Sequence, residues 1–435
     1  MIKAESFIFY GYKINPKKSR IEFTYRIELK NGKTRTYTDN LFFKNVTADM
    51  WGIVPEDVLE STLQSLLLII GINYWCVFPT KNIKINGFTL NREQADFWNS
   101  LYLNGLGEFF YDMKIDFRGL IAFPFDDSNS IIVPKRINLP SRSLLLNGAG
   151  KDSILSAEIL KSLNKPFDFF AFAPTPAHDR IGRLVGANTI KVTRRIDSRV
   201  NFIMANNGIS NAYPSVSTFT FVAVLLAELL GYDSIVFSNE SSADFGNLEY
   251  IGLEVNHQWC KSSIAEKMIN DYIHKFITPD ISTVSLLRKY NELEIVKLFV
   301  QYPKYLHYVT SCNTYFWLPR IQQLMMRKAY WCGRCPKCVF LFACFSAFLP
   351  KEVVVSMFGS NLYTKRKLLP YFKRILGIEG FKPLDCVGEP EEMILAMHFA
   401  SCSKEYSSDK AMKLFEDYFT SDYNFDKIDK KIFKK

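Results

Sequence analysis

Hydrophobic and polar residues alternate over Ile21–Ile27, with Ile21, Phe23, Tyr25 and Ile27 on one face and Glu22, Thr24 and Arg26 on the other. A period of two predicts a strand with one buried face. Phe7–Tyr10 is a second β-rich run, and Asn31-Gly32 is a hairpin turn signal, so residues 2–43 read as strands. The period then changes. Pro55 opens a helical stretch with Glu56 and Asp57 in its first turn and Leu59, Leu63, Leu66 and Leu67 along it. Asn91 and Gln94 fit a capping box for a further helix through Phe97 and Leu101. Beyond the proline-flanked stretch 134–140, short apolar runs at 144–146, 167–172, 189–192 and 234–237 alternate with helical segments, among them Phe219–Leu230 ending at Gly231. This alternation predicts an α/β fold with a doubly wound parallel sheet. The expected division is an α+β N-terminal domain (1–140), a nucleotide-binding domain (141–285) and a helical C-terminal domain (286–435). The lysine-rich stretch 427–435 reads as a frayed end.

The strand-like run Leu144-Leu145-Leu146 leads into Gly148-Ala149-Gly150 and then Lys151-Asp152-Ser153, which open a helix. Small residues let the backbone close on a ligand, and unpaired N–H groups at a helix start attract anions. A Walker A loop is excluded, because position 145 is Leu and Lys151 is followed by Asp152. The three spaced glycines of a dinucleotide fingerprint are also missing. Gly148–Ser153 instead resembles the Ser-Gly-Gly-x-Asp-Ser pyrophosphate loop of the ATP-pyrophosphatase (PP-loop) superfamily, with Gly148 for the Ser and Ala149 for a Gly. Ligands of such sheets sit beyond the carboxyl ends of the strands. That rule collects Gly148–Ser153, His178, Arg194, Arg195 and Glu240 at one edge.

Composition narrows the class. A 435-residue chain with 48% apolar residues fills a sizeable core, and a formal charge of +10 suits anionic ligands. The longest apolar runs, Leu66–Ile72 and Phe219–Leu230, are too short to span a bilayer. No signal peptide is evident, so a cytoplasmic location is expected. Nine cysteines, three of them in Cys332-Gly333-Arg334-Cys335-Pro336-Lys337-Cys338, fit a structural zinc site better than a disulfide framework. Cys312 is the best upstream fourth ligand, with His307 and Cys344 as alternatives. Val255–Ser262 puts a histidine, two amides, a tryptophan and a lysine in one loop, and Cys386 lies in a proline-turn loop where a thiol can be a proton carrier or simply packed.

Two families share these parts. The 7-cyano-7-deazaguanine synthases carry a pyrophosphate loop and a comparable cysteine cluster, but their loop lies near the chain start. The fuller resemblance is to the ATP-dependent UDP-N-acetylmuramoyl-L-alanyl-L-glutamate epimerase family (MurL type). It is carried by Gly148–Ser153, Asn239-Glu240-Ser241-Ser242, Asn256-His257-Gln258 with Lys261-Ser262, Cys332–Cys338, and Lys382–Gly388, in that order. The resemblance implies inversion of the terminal L-glutamate of a UDP-N-acetylmuramoyl-dipeptide in peptidoglycan precursor synthesis, with ATP and Mg²⁺ and release of AMP and diphosphate. No nucleic acid is expected as a partner. On this resemblance Gly148, Ala149, Gly150, Lys151, Asp152 and Ser153 hold pyrophosphate. Arg194, Arg195 and Glu240 serve the nucleotide site, and His257 and Cys386 form the proton-transfer pair. Cys312, Cys332, Cys335 and Cys338 are the metal ligands. The rival readings are a PP-loop enzyme acting on tRNA or a purine-like base, and a non-catalytic zinc-stabilised interaction protein.

Overall fold

The computed structural model describes residues 4–128, 135–209, 213–325, 330–420 and 423–433. Eleven strands form in chain order: β1 (Ala4–Asn15), β2 (Arg20–Leu29), β3 (Thr34–Phe43), β4 (Ile83–Ile85), β5 (Ser143–Leu146), β6 (Phe167–Phe172), β7 (Thr189–Ile196), β8 (Ser234–Phe237), β9 (Leu248–Tyr250), β10 (Leu253–Val255) and β11 (Ser282–Ser285). Nine of them make one sheet, ordered β11-β8-β5-β6-β7-β3-β2-β1-β4. The half from β11 to β7 is parallel, and β3, β2 and β1 extend it as an antiparallel meander.

The apolar runs are continuous rather than alternating because the parallel strands are covered on both faces. Leu144, Phe170 and Ile235 pack into one core with the helices Glu56–Val77 and Ser215–Leu230. Their neighbours Leu145, Phe169 and Val236 pack into the other, against the helix Lys151–Ser162 and the C-terminal helices. The period-two reading of β2 holds in detail, since Ile21, Phe23, Tyr25 and Ile27 are all buried. The Asn91–Gln94 capping box also forms, at the start of the helix Arg92–Gly105. No helix among the described residues is long and apolar enough to cross a membrane.

Two expectations change, and one falls partly outside the described residues. The predicted frayed end is largely ordered: Phe425–Ile432 is a helix that buries Ile428 and Ile432, while 434–435 lie outside the described residues. Within the proline-flanked stretch, Pro134 lies outside them, and 135–140 has no helix or strand. Arg194 is not free for a ligand. Its guanidinium, 5% exposed, is committed to Asp39 through bonds of 2.7 and 3.0 Å and to Asn73 Oδ1 at 2.8 Å. A buried charge needs such partners, and this pair ties β7 to β3 where the parallel half of the sheet meets the meander.

Asp39 has no exposed surface, so Asp39→Ala would strand the guanidinium in the core. We expect a loss of about 3–5 kcal/mol in chemical denaturation. Replacing both partners by apolar residues of similar size should cost less than the single substitution.

Candidate functional site

The carboxyl ends of β5 and β8 and the loops that follow them converge on a crowded ionic cluster. After β5, the Asn147 side chain accepts the Ala149 N–H at 2.9 Å and holds the turn. Ala149 takes a left-handed backbone (φ 54°), which costs a non-glycine residue about 1–2 kcal/mol. Its methyl is fully buried, so the Ala-for-Gly departure fits sterically and carries backbone strain. Gly150 allows close approach, because a Cβ there would lie 2.7 Å from Ser311 Oγ. The helix Lys151–Ser162 starts at Gly150 with no side-chain cap, leaving its N-terminus as an anion-attracting end. The Ser153 hydroxyl bonds the Gly150 carbonyl at 3.1 Å.

Lys151 is buried between Asp152 (2.5 Å) and Glu292. Burial alone would lower its pKa, but these two carboxylates raise it. Burial also pushes the Glu292 carboxyl up, and Lys151 and Lys337 outweigh that and keep it ionised. Glu240, after β8, joins the same group. Burial raises its pKa, Lys261 opposes this, and the charges on Glu292 and Asp152 add to it. Arg288 fastens the loop, donating to the Glu240 carbonyl (2.9 Å) and the Lys261 carbonyl (2.6 Å). Arg195 stays exposed against the Phe42 ring, and His178 is a buried capping residue bonded to the Thr175 N–H at 2.9 Å. Burial drops the His178 pKa to about 4, so it is neutral near pH 7.

Beside this cluster opens a cavity of about 910 Å³, lined by Glu108, His257, Trp259, Lys261, Asn313 and Cys386 among others. His257 and Cys386, separated by 129 positions in sequence, meet here: a His257 ring nitrogen, an Asp385 oxygen and Cys386 Sγ lie within 4.8 Å of one another. His257 Nδ1 bonds Glu108 Oε2 at 2.5 Å, which leaves Nε2 for the thiol. Lys261 Nζ is 3.5 Å from Cys386 Sγ. Burial would lower the His257 pKa, but the bonds to Cys386 and Glu108 raise it well above the usual range. Burial would raise that of Cys386, but Lys261, Lys337 and His257 bring it down to about 6. The pair is therefore a thiolate facing an imidazolium near neutral pH, the charge state of an activated cysteine.

Two amide side chains fix the geometry. Asn247 accepts the His257 N–H at 2.9 Å and donates to the Pro383 carbonyl at 2.8 Å, joining the two loops that carry the pair. Asn313 donates to Asp385 Oδ1 at 2.8 Å, and the same oxygen accepts the Cys386 N–H at 2.8 Å. Sequence reasoning missed Glu108, Asn247, Arg288 and Glu292. Glu108 sits in the first turn of the helix Gly107–Met113, where an acidic residue reads as an ordinary helix-start charge. Lys261 was visible in its motif, but no pattern tied it to Cys386.

Cys312, Cys332, Cys335 and Cys338 come together with their sulfurs all within 4.8 Å of one another, so Cys312 joins the three knuckle cysteines where His307 and Cys344 do not. Cys332 and Cys338 are 3.7 Å apart. Tetrahedral zinc with Zn–S bonds of about 2.3 Å requires sulfurs about 3.8 Å apart, so the donor set fits that ion. With four protein ligands no coordination position is left for substrate, which suits a structural site.

Iodoacetamide labelling of Cys386, followed by peptide mapping, should be half-maximal near pH 6, because the thiolate is the reactive form. In Lys261→Met the midpoint should move upward toward that of an ordinary thiol. An unmoved midpoint would remove Lys261 from the account.

Comparison with known proteins identifies the family. Residues 1–286 match the MurL N-terminal domain and residues 308–427 the MurL C-terminal domain. A UDP-N-acetyl-alpha-D-muramoyl-L-alanyl-L-glutamate epimerase of Xanthomonas oryzae pv. oryzae (strain MAFF 311018) is 31% identical over 82% of this chain and 78% of its own. Epimerases of the same name from Micromonospora sp. (strain ATCC 39149 / NRRL 15099 / SCC 1413) and Salinispora tropica (strain ATCC BAA-916 / DSM 44818 / JCM 13857 / NBRC 105044 / CNB-440) are 29% and 28% identical, each over 91% of this chain and over 86% and 84% of their own. Both domains of one family are thus present in order along a single chain, and the chain belongs to the MurL family.

Proposed function

We propose that this protein is an isomerase that inverts the terminal L-glutamate of UDP-N-acetylmuramoyl-L-alanyl-L-glutamate during peptidoglycan precursor synthesis. The relatives carry that activity in their names. The observation that carries the reading is the Glu108–His257–Cys386–Lys261 centre, which lines a large cavity next to a pyrophosphate-type loop.

The α-hydrogen of a carboxylate is a poor acid, because the carbanion forms beside an existing negative charge. Transfer of AMP to the α-carboxylate removes that charge and activates the carbonyl. ATP with Mg²⁺ is the donor in this reading. The N–H groups from Gly148 to Ser153 and the start of the helix receive the diphosphate. Asp152 orients the loop or the metal. Glu240 shapes the electrostatics of the same pocket, and Arg195, the remaining candidate at the end of β7, is exposed and free to meet phosphate. The proton is exchanged at the His257–Cys386 centre, and water finally frees the carboxylate. Cys312, Cys332, Cys335 and Cys338 would hold zinc, which would brace the segment that carries Asn313. The basic chain suits a substrate that carries a diphosphate and carboxylates. These steps use no membrane and no nucleic acid, and they suit a cytoplasmic enzyme.

Purified protein with ATP, Mg²⁺ and the L,L-substrate should yield AMP and, after acid hydrolysis of the product, D-glutamate. His257→Asn should keep the first-turnover release of diphosphate within about threefold and slow inversion by at least about 100-fold. AMP formation with L-glutamate retained would remove the inversion. An equal loss of both steps would make His257 a binding or folding residue.

A further inference from the structure

Two groups that invert a carbon from opposite faces must stand on either side of it. At reacting distances of about 3–3.5 Å on each side, they are separated by about 6–7 Å. The His257 ring nitrogen and Cys386 Sγ are within 4.8 Å of each other, so no carbon fits between them at reacting distance from both. The pair works from one side. Its order, a carboxylate behind an imidazole behind a thiol, is that of a nucleophile, its base and the group that orients the base. Lys261 Nζ, 3.5 Å from the sulfur, offsets a thiolate. Lys261 and Cys386 both line the cavity, which gives the sulfur access to a bound carbonyl.

Resting on the epimerase reading above, we propose that Cys386 is a nucleophile that carries the glutamyl group as a thioester during inversion. Cys386 Sγ attacks the carbonyl carbon of the acyl-adenylate. The C–S bond forms, the bond from that carbon to the AMP oxygen breaks, and AMP leaves with the electron pair, taking the proton of the His257 imidazolium. His257 is now a neutral base beside a thioester, whose α-hydrogen is far more acidic than that of a carboxylate. It takes the α-proton and gives one back. A one-sided centre can invert a carbon only if the substrate turns, and a tether of single bonds through Cβ and Sγ lets it turn without leaving. Water then adds to the thioester carbonyl and yields its proton to His257. The C–S bond breaks, the thiolate returns, and the carboxylic acid loses its proton to solvent.

The test uses the full chain with ATP, Mg²⁺ and the L,L-substrate, quenched in acid within one turnover and analysed by intact mass and peptide mapping. We expect an ATP-dependent adduct on the Cys386 peptide, with the mass of the substrate less one water, that neutral hydroxylamine removes. His257→Asn keeps the thiol but lacks the base for the later steps, so the adduct should approach one per chain. Diphosphate release with no adduct in either protein would overturn the thioester while leaving the epimerase reading in place. Wild-type protein that makes neither AMP nor D-glutamate would overturn that reading and the thioester with it.

Discussion

Thr310, Ser311, Cys312 and Asn313 hold three pieces of chemistry at fixed distances. The Thr310 N–H donates to the Ala149 carbonyl at 3.2 Å, and Ser311 packs against Gly150, so the segment closes one wall of the loop after β5. Cys312 completes the four-sulfur cluster. Asn313 reaches Asp385, which sets the backbone of Cys386. A metal bound by four cysteines is one of the few restraints able to hold a short segment rigid against so many partners. In this protein such a metal would act at a distance, by keeping the loop and the thiol in register with each other.

The sheet supplies the other half of the frame. Side chains from alternate positions of β5, β6 and β8 enter two separate cores, so these strands cannot slip by one residue without exposing both. Their carboxyl ends therefore present the loops after β5 and β8 at constant spacing. The antiparallel strands are joined to this frame by the Asp39–Arg194 pair and by the β3–β7 ladder. The N-terminal region delivers Glu108 to His257 from the helix Gly107–Met113. The proposed centre thus draws on residues from the first quarter, the middle and the last quarter of the chain. This explains why the buried charges of Lys151, Glu292, Glu240 and Lys261 are tolerated: each has an opposite charge within the same cluster.

Local signals made much of this legible in the sequence. The apolar runs gave the strands, and Gly148–Ser153 gave the turn from β5 into the helix Lys151–Ser162. C-x2-C-x2-C gave the cysteine cluster, because ligand spacing within a knuckle is a local property. Pairings across the fold were legible only through family resemblance, as with His257 and Cys386, or not at all. Arg194 shows the limit from the other side. At the end of a predicted strand it reads as a ligand-binding cation, and only the neighbouring strand reveals Asp39 as its partner. Glu108 gave no signal because its carboxylate serves a ring 149 residues away. Ala149 was legible as a departure from glycine, but its strain resides in a backbone angle that composition does not express.

The central claim is that proton exchange at the glutamate α-carbon takes place at the Glu108–His257–Cys386–Lys261 centre. The most direct measurement is the entry of deuterium from D₂O into that α-position, followed by NMR for the wild-type chain, His257→Asn and Cys386→Ala. The account predicts ATP-dependent entry in the wild-type protein, lost in both variants while each still releases diphosphate in its first turnover. Deuterium entry at the wild-type rate in either variant would contradict it.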